Sequence, residues 1–341
     1  MISSRAFKFA SLILTLAFAA TACSLPSAGC ARSDVFCVGL VTGYGTVDDH
    51  GLNQSAWEGV QQALAENIID TADFIETIDA RDRAKNIQTF LLNDYDLIIT
   101  VGNSMDEDTR LTADEWPDRL FIGVDQPQTE SRPNLAGLVF PEDQGGFLAG
   151  ALAALTTQTG KVAALCELEE IPSMWRYCEG FRSGVFYANP DMRARVLYKS
   201  EGGIGELFND PAWGEEQALF ILEGGVDILF AAGGETARAA LETAASRAVY
   251  VIGADEDMYY QVGKPDFVLS SAVKQAGLGV YELIKLAVEN QLPVGETRGG
   301  YALGPYHSLE RQIQPTVRER LEQIRRGLAD GSIPTGVPAE P

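Results

Sequence analysis

Two stretches of this 341-residue chain repeat each other at a nearly constant distance. Asp96-Leu-Ile-Ile-Thr-Val-Gly102 is answered 131 residues later by Asp227-Ile-Leu-Phe-Ala-Ala-Gly233, and Ile122-Gly-Val-Asp125 is answered 130 residues later by Ile252-Gly-Ala-Asp255. Glu-Gly also follows the first apolar run of each half, as Glu58-Gly59 and Glu179-Gly180. Self-similarity in register implies two units built to one plan. Within each half, short apolar runs alternate with amphipathic stretches, the pattern of a parallel sheet flanked by helices. The first half predicts strands at Phe36–Thr42, Phe74–Thr77, Asp96–Val101, Leu120–Val124 and Leu135–Val139. The second predicts them at Lys161–Leu165, Arg195–Tyr198, Asp227–Ala232, Val249–Gly253 and Phe267–Ser270.

In such sheets ligands bind beyond the carboxyl ends of the strands. Asp125 and Asp255 each end a buried strand, so facing lobes would point both carboxyl groups into one cleft, as in a hinged binding protein. The segment from Val38 to Val60 has the same character. A short strand passes through a Gly-rich turn carrying Asp48 and Asp49 and enters a helix near Asn53. Asn53 can cap that helix and face the cleft at once. Asp48 and Asp49 suit a cap or a loop brace better than a ligand contact. Carboxyl groups beside free helix N–H groups favour a polar neutral molecule and repel a phosphate. The expected organisation is a first lobe of residues 36–141 plus 270–292 and a second of 142–266 plus 296–328. A mobile tail would follow at 329–341. Val268–Lys274 is expected to recross between the lobes, with a hinge near 141–145 and 266–270.

Residues 1–23 read as an export signal: Arg5 and Lys8, an apolar run from Phe9 to Ala20, then Ala20-Thr-Ala-Cys23. The run falls short of the roughly 20 apolar residues a membrane-spanning helix needs. Small residues before Cys23 resemble a lipidation site, with residues 24–35 as tether. The formal charge of −22 becomes −24 once Arg5 and Lys8 are removed with the signal, since no acid lies among those residues. That balance argues against nucleic acid and against anionic headgroups, so membrane contact would run through the lipid. An exported chain can oxidise its cysteines. Cys166 ends a strand and Cys178 lies in the next helix, close enough to be bridged.

Other chemistries find little support. Asp255-Glu256-Asp257 lacks the glycine placement of a calcium loop, and no metal or cofactor is expected. Gly43-x-Gly45 has Asp48 where a dinucleotide loop needs its third glycine. A hydrolase would have to work without a Gly-x-Ser-x-Gly elbow and with only His50 and His307.

In order and spacing, a further set of motifs is similar to the basic-membrane-protein family of bacterial lipoproteins, the substrate-binding components of ABC transporters related to purine nucleoside receptors. These are Asp48-Asp49-x-x-x-Asn53-Gln54, Phe147-Leu-Ala-Gly150, Ile171-Pro172 ahead of Glu179-Gly-Phe181, Phe208-Asn-Asp-Pro211, Gly233-Gly234, Ile252-Gly-Ala-Asp-Glu-Asp257 and Ser271-Ala-Val-Lys274. The resemblance implies the two-lobed type I periplasmic-binding fold, with a base held between aromatic rings and ribose hydroxyls held by carboxylates and a lysine. By position it carries that role to Asn53, Asp125, Phe208, Asp255 and Lys274. Gly234 is a further expected ligand contact, and Trp175, close to Met174 and Pro172, is expected at the cleft rim. Two positions depart from the family. Gly43 stands where the family has Asp, removing a carboxylate aimed at the base, and Leu52 stands where it has Phe, removing a stacking ring. Tyr44, Trp175 or Trp213 are candidate replacements, and Asp49 a minor contact. The implied function is a non-enzymatic, monomeric lipoprotein on the extracytoplasmic face of the cell membrane. It would deliver a nucleoside or similar polyhydroxylated molecule to an ABC permease. A ligand sensor for a membrane signalling partner is the alternative, and a nucleoside hydrolase ranks lower.

Overall fold

The computed structural model describes residues 29–200 and 206–341. The signal segment with Cys23, and tether residues 24–28, lie outside them. Two six-stranded sheets divide the chain. The first carries β1 (Cys37–Thr42), β2 (Thr71–Ile75), β3 (Leu97–Val101), β4 (Leu120–Val124) and β5 (Leu135–Val139). Its helices are α1 (Leu52–Ala65), α2 (Arg83–Leu91) and α3 (Asp106–Glu115). The chain then runs through α4 (Glu142–Thr156), β6 (Val162–Cys166), α5 (Pro172–Ala188), β7 (Arg195–Tyr198) and α6 (Pro211–Leu222). It continues through β8 (Ile228–Ala232), α7 (Gly234–Ser246), β9 (Tyr250–Asp255) and β10 (Val268–Lys274). Last come α8 (Ala276–Val288), β11 (Gly295–Arg298), β12 (Tyr301–Leu303) and α9 (Pro315–Ala329).

Strand orders are β11-β5-β4-β3-β1-β2 and β12-β10-β9-β8-β6-β7. All pairings are parallel except β12 with β10. This is a type I periplasmic-binding architecture, two similar α/β lobes side by side. Central strands such as β1, β3, β6 and β8 are buried throughout, because helices cover both faces of each sheet. That burial is why they read as continuous apolar runs. Successive residues then feed opposite cores: Leu40 and Ile99 pack in one cluster, Val41 and Ile98 in another. No helix among the described residues is long and apolar enough to cross a membrane.

The repeated Glu-Gly pair has a packing origin. A Cβ on Gly59 of α1 would lie 2.2 Å from the Gly277 oxygen of α8, and one on Gly180 of α5 would lie 2.3 Å from the Asp143 oxygen of α4. In each lobe, the helix after the first strand meets its partner backbone to backbone. Only glycine allows that approach.

Those partner helices are exchanged. After β5 the chain leaves the first sheet and α4 packs in the second lobe; after β10 it leaves the second sheet and α8 packs on α1 in the first. β11 and β12 then complete one sheet each. Three segments therefore cross between lobes: at Pro141, at Gln275 and at Gly299-Gly300. They are bonded side by side, Gly299 N–H to the Val139 oxygen at 2.8 Å and Gln275 N–H to the Gly300 oxygen at 3.0 Å.

These crossings correct the sequence-based boundaries. Residues 270–274 belong to the second sheet, where Val268–Lys274 pairs with β9, so that strand does not recross and the second crossing is Gln275, not 266–270. Residues 296–298 belong to the first sheet, so the third crossing, expected between 292 and 296, lies at Gly299-Gly300. Hydropathy marks a strand as buried without saying in which sheet. β2 begins at Thr71 rather than Phe74, because this edge strand is only half-buried and its Asp73 interrupts the apolar signal. The tail is held against the second lobe: the Trp175 indole donates to the Pro338 oxygen at 3.2 Å, and Thr335 donates to Asp143 at 2.5 Å.

Among the described residues there are two disulfides, Cys30–Cys37 with Cα atoms 5.8 Å apart and Cys166–Cys178 at 6.3 Å. The second ties the carboxyl end of β6 to α5.

Candidate functional site

β4 and β9 end in the same way. Asp125 and Asp255 both take left-handed backbone conformations, with φ of 61° and 67°. That conformation is uncommon outside glycine and least unfavourable for Asp and Asn. It turns the chain sharply at the sheet edge, where the Asp125 carboxyl reaches a lysine of the second lobe and the Asp255 carboxyl meets the same lysine from within that lobe. Between them stands Lys274, the last residue of β10 and 8% exposed. Its Nζ lies 2.8 Å from Asp125 Oδ2 and 3.0 Å from Asp255 Oδ1. One buried cation thus joins a carboxyl group from each lobe. Burial alone would push the Lys274 pKa down, but Asp255, Tyr301 and Asp125 outweigh it and hold the ammonium well above the usual lysine range.

Two tyrosines extend this group. The antiparallel register sets Tyr301 opposite Lys274. Tyr177 reaches in from α5, donating to Asp255 Oδ1 at 2.5 Å and lying 2.6 Å from the Tyr301 hydroxyl. Burial first, and neighbouring Asp255 as well, raise both phenols well above their ordinary pKa, so both stay neutral. Beside the first crossing, Arg176 pairs with the buried Glu142 at 2.7 Å. Burial raises the Glu142 carboxyl, and Arg176 works against that shift. Tyr177 and Tyr301 were missed in the sequence. With Met174, Cys178 and Phe181, Tyr177 falls on the apolar face of its helix, so its spacing signals only core. The signal for Tyr301 is its strand register opposite Lys274.

The lobes also touch at the cleft edge. The His50 ring stacks on Tyr260 at 4.1 Å, and within the second lobe the neighbouring Tyr259 ring stacks on His307 at 3.9 Å. The Glu256 side chain lies against Gly51, 2.9 Å from where a Cβ would sit. Burial, then Asp49, Asp255 and Glu235, push the Glu256 carboxyl up to about 7. A cavity of about 140 Å³ opens beside it, lined by Ala232, Gly233, Gly234, Asp255 and Glu256 among others.

The remaining sequence-selected residues take more varied places. Asn53 is buried and donates to the Tyr44 and Thr46 oxygens at 3.2 and 3.3 Å, bracing the turn ahead of α1. Asp49 accepts from the backbone N–H of Gly51, Asn53 and Gln54, which is a capping role. Phe208 is 37% exposed and packs on Gly234, with its oxygen accepting from Glu235 N–H at 2.8 Å. Tyr44 is 70% exposed. Trp213 packs on the second-lobe core at the start of α6, with the Lys199 ammonium 5.8 Å from its ring. Trp175 has its indole N–H committed to the tail. No group of three or more His, Cys, Asp or Glu side chains among the described residues is placed to hold a metal ion.

Comparison with known proteins agrees with this fold. The family model described as ABC transporter substrate-binding protein, PnrA-like, matches residues 36–299. The CD4+ T-cell-stimulating antigen of Listeria monocytogenes is 29% identical over 328 residues, covering 90% of this chain and 89% of its own. The ABC transporter nucleoside-binding protein BmpA of Lactococcus lactis is 24% identical over 319 residues, covering 86% and 87%. An ABC transporter solute-binding protein from Conexibacter woesei superposes with a TM-score of 0.71 at 20% identity, covering 88% of this chain and 98% of its own.

Proposed function

This chain belongs to the PnrA-like ABC transporter substrate-binding proteins, and from that premise we propose that it is a lipid-anchored receptor whose cleft captures a nucleoside. It is a solute-binding component of an ABC transporter, with a small-molecule ligand and a permease partner. The observation that carries the finer reading is the bridge from Lys274 to Asp125 and Asp255. Ribose hydroxyls both donate and accept, so a vicinal pair can share this triad, donating to the carboxyl groups and accepting from the ammonium. Phe208 packs on Gly234, which lines the same cavity as Asp255, and its partly exposed ring offers a face for the base. The name of the Lactococcus relative supports the same cargo.

Capture follows from the crossings. Three bonded segments form the hinge, and opening about them separates Asp125 from Lys274 and Asp255. Closing with ligand between them strips water from the hydroxyls and fixes the surface presented to the permease. The acyl chain would sit on Cys23.

Denaturing the purified protein and identifying the released small molecule by mass spectrometry tests the cargo directly. A thermal-shift panel of nucleosides and sugars follows, since a ligand at ~100 times its Kd stabilises by about 2.7 kcal/mol. The nucleoside reading expects a shift with at least one purine or pyrimidine nucleoside. Shifts with sugars alone would overturn it and leave the receptor standing.

A further inference from the structure

Glu167 follows β6 directly, and its place can be fixed against the first lobe. Register pairs Thr42 with Val101 and Cys166 with Ala232, and Val101 and Ala232 are equivalent in the 131-residue repeat. The next residues, Gly43 and Glu167, are therefore counterparts at the two sheet edges. In the first lobe this place is closed to a side chain, because a Cβ on Gly43 would lie 2.4 Å from the Val101 oxygen. In the second lobe it carries a carboxyl group.

That group is fully buried and only half used. Its Oε1 accepts from Phe208 N–H at 3.0 Å and from the Thr236 hydroxyl at 2.6 Å, while its Oε2 is buried with no hydrogen-bond partner. An acceptor left in that state costs about 1–3 kcal/mol, and native proteins rarely keep one without a use. The bracing of Phe208 and Thr236 is satisfied by one oxygen and leaves the second unexplained. The Glu167 side chain packs on Gly233, within 2.6 Å of where a Cβ would sit, and Gly233 lines the cavity beside Asp255. Phe208, which Glu167 holds through its own N–H, is the ring placed against the base.

We propose that Glu167 is the residue that reads the base, its free Oε2 accepting an N–H from a nucleoside whose base carries a ring lactam, such as a 6-oxopurine or a uracil. The carboxyl group missing at Gly43 is thus supplied from the opposite lobe. This rests on the nucleoside reading above. It favours inosine over purine riboside, which has the same ring system with an acceptor nitrogen where inosine has N1–H. A site built around a donor rejects the analogue lacking it, because the buried acceptor stays unpaired.

Titration calorimetry with inosine, uridine and purine riboside, on the full mature chain and on Glu167→Gln, tests this. Wild type is expected to bind inosine at least tenfold more tightly than purine riboside. In Glu167→Gln that preference falls to within about threefold, mainly by loss of inosine affinity, while the ligand-free unfolding midpoint stays within a few degrees. Equal affinities in wild type, or a preference that survives in Glu167→Gln, would overturn the assignment and leave nucleoside capture intact. Absence of binding by all three nucleosides would overturn both. The wild-type comparison decides the matter even if the variant folds poorly.

Discussion

The two lobes share strand order, a left-handed Asp at the end of the fourth strand and a glycine that lets the first helix meet its partner, yet they differ in what they bring to the cleft. The first lobe contributes Asp125 and a turn that is occupied with itself: Asp49 caps α1 and Asn53 holds the Tyr44–Thr46 backbone. The second contributes Lys274, Asp255, Tyr177, Tyr301, Glu167 and a disulfide at its sheet edge. A duplicated scaffold has therefore kept its strands and redistributed its chemistry. The differences sit at strand ends and on the helix beside them: Glu167 just past β6, Lys274 as the last residue of β10, Tyr301 opposite it in β12, and Tyr177 on α5.

The sharpest way to break the comparison is Lys274→Met. It leaves Asp125 and Asp255 facing each other without a cation. Removing one partner from a fully buried ion pair costs about 3–5 kcal/mol; Asp125 and Asp255 keep 25% and 40% of their side-chain surface exposed, so we expect a smaller fall in the unfolding midpoint together with loss of detectable ligand binding by calorimetry. A midpoint within 2 °C of wild type would mean that the two lobes do not depend on this bridge.

Opening the second-lobe disulfide comes next. Cys166→Ala with Cys178→Ala should cost about 2–4 kcal/mol in chemical denaturation. Hydrogen exchange should rise in β6 and α5 while β1 and α1 keep their protection. Equal loosening of both lobes would erase the asymmetry.

Substituting the two aspartates separately sharpens it. Asp255 has two partners, Lys274 and Tyr177, whereas Asp125 has Lys274. Asp255→Asn is therefore expected to weaken binding more than Asp125→Asn, by about tenfold. The reverse order would relocate the ligand toward the first lobe.

The smallest effect concerns pH. Glu256 meets Gly51 across the cleft with its pKa raised to about 7 from 4.5. The folded state then holds a proton that the unfolded chain has released, so this group's contribution is intact below pH 4.5 and is lost as pH rises through about 7. Stability should fall between pH 4.5 and 7.5 in wild type, and less steeply in Glu256→Gln. Parallel curves for the two proteins would remove Glu256 from the lobe contact.

Much of this was legible in residue order. Asp125, Asp255 and the two-lobe plan follow from the repeat, since buried strands must be apolar and their ends must turn. Lys274 came only through family resemblance, because a lone lysine after a strand has the pattern of a solvated one. What was not legible was the sheet that takes residues 270–274 and 296–298, since hydropathy does not say which sheet a strand joins. Tyr177 was hidden for a related reason. Its ring belongs to the core and only its hydroxyl belongs to the site, a division that helical periodicity does not record.

The exchanged helices also bear on synthesis and export. When β1 to β5 have left the ribosome, the first sheet still lacks β11, and α1 still lacks the surface of α8 that covers Gly59. Neither can be supplied until Ala276–Arg298 has been made. The first sheet and its first helix contact therefore cannot be complete until most of the chain has been made. For the exported receptor proposed above, that order would delay completion of the first lobe.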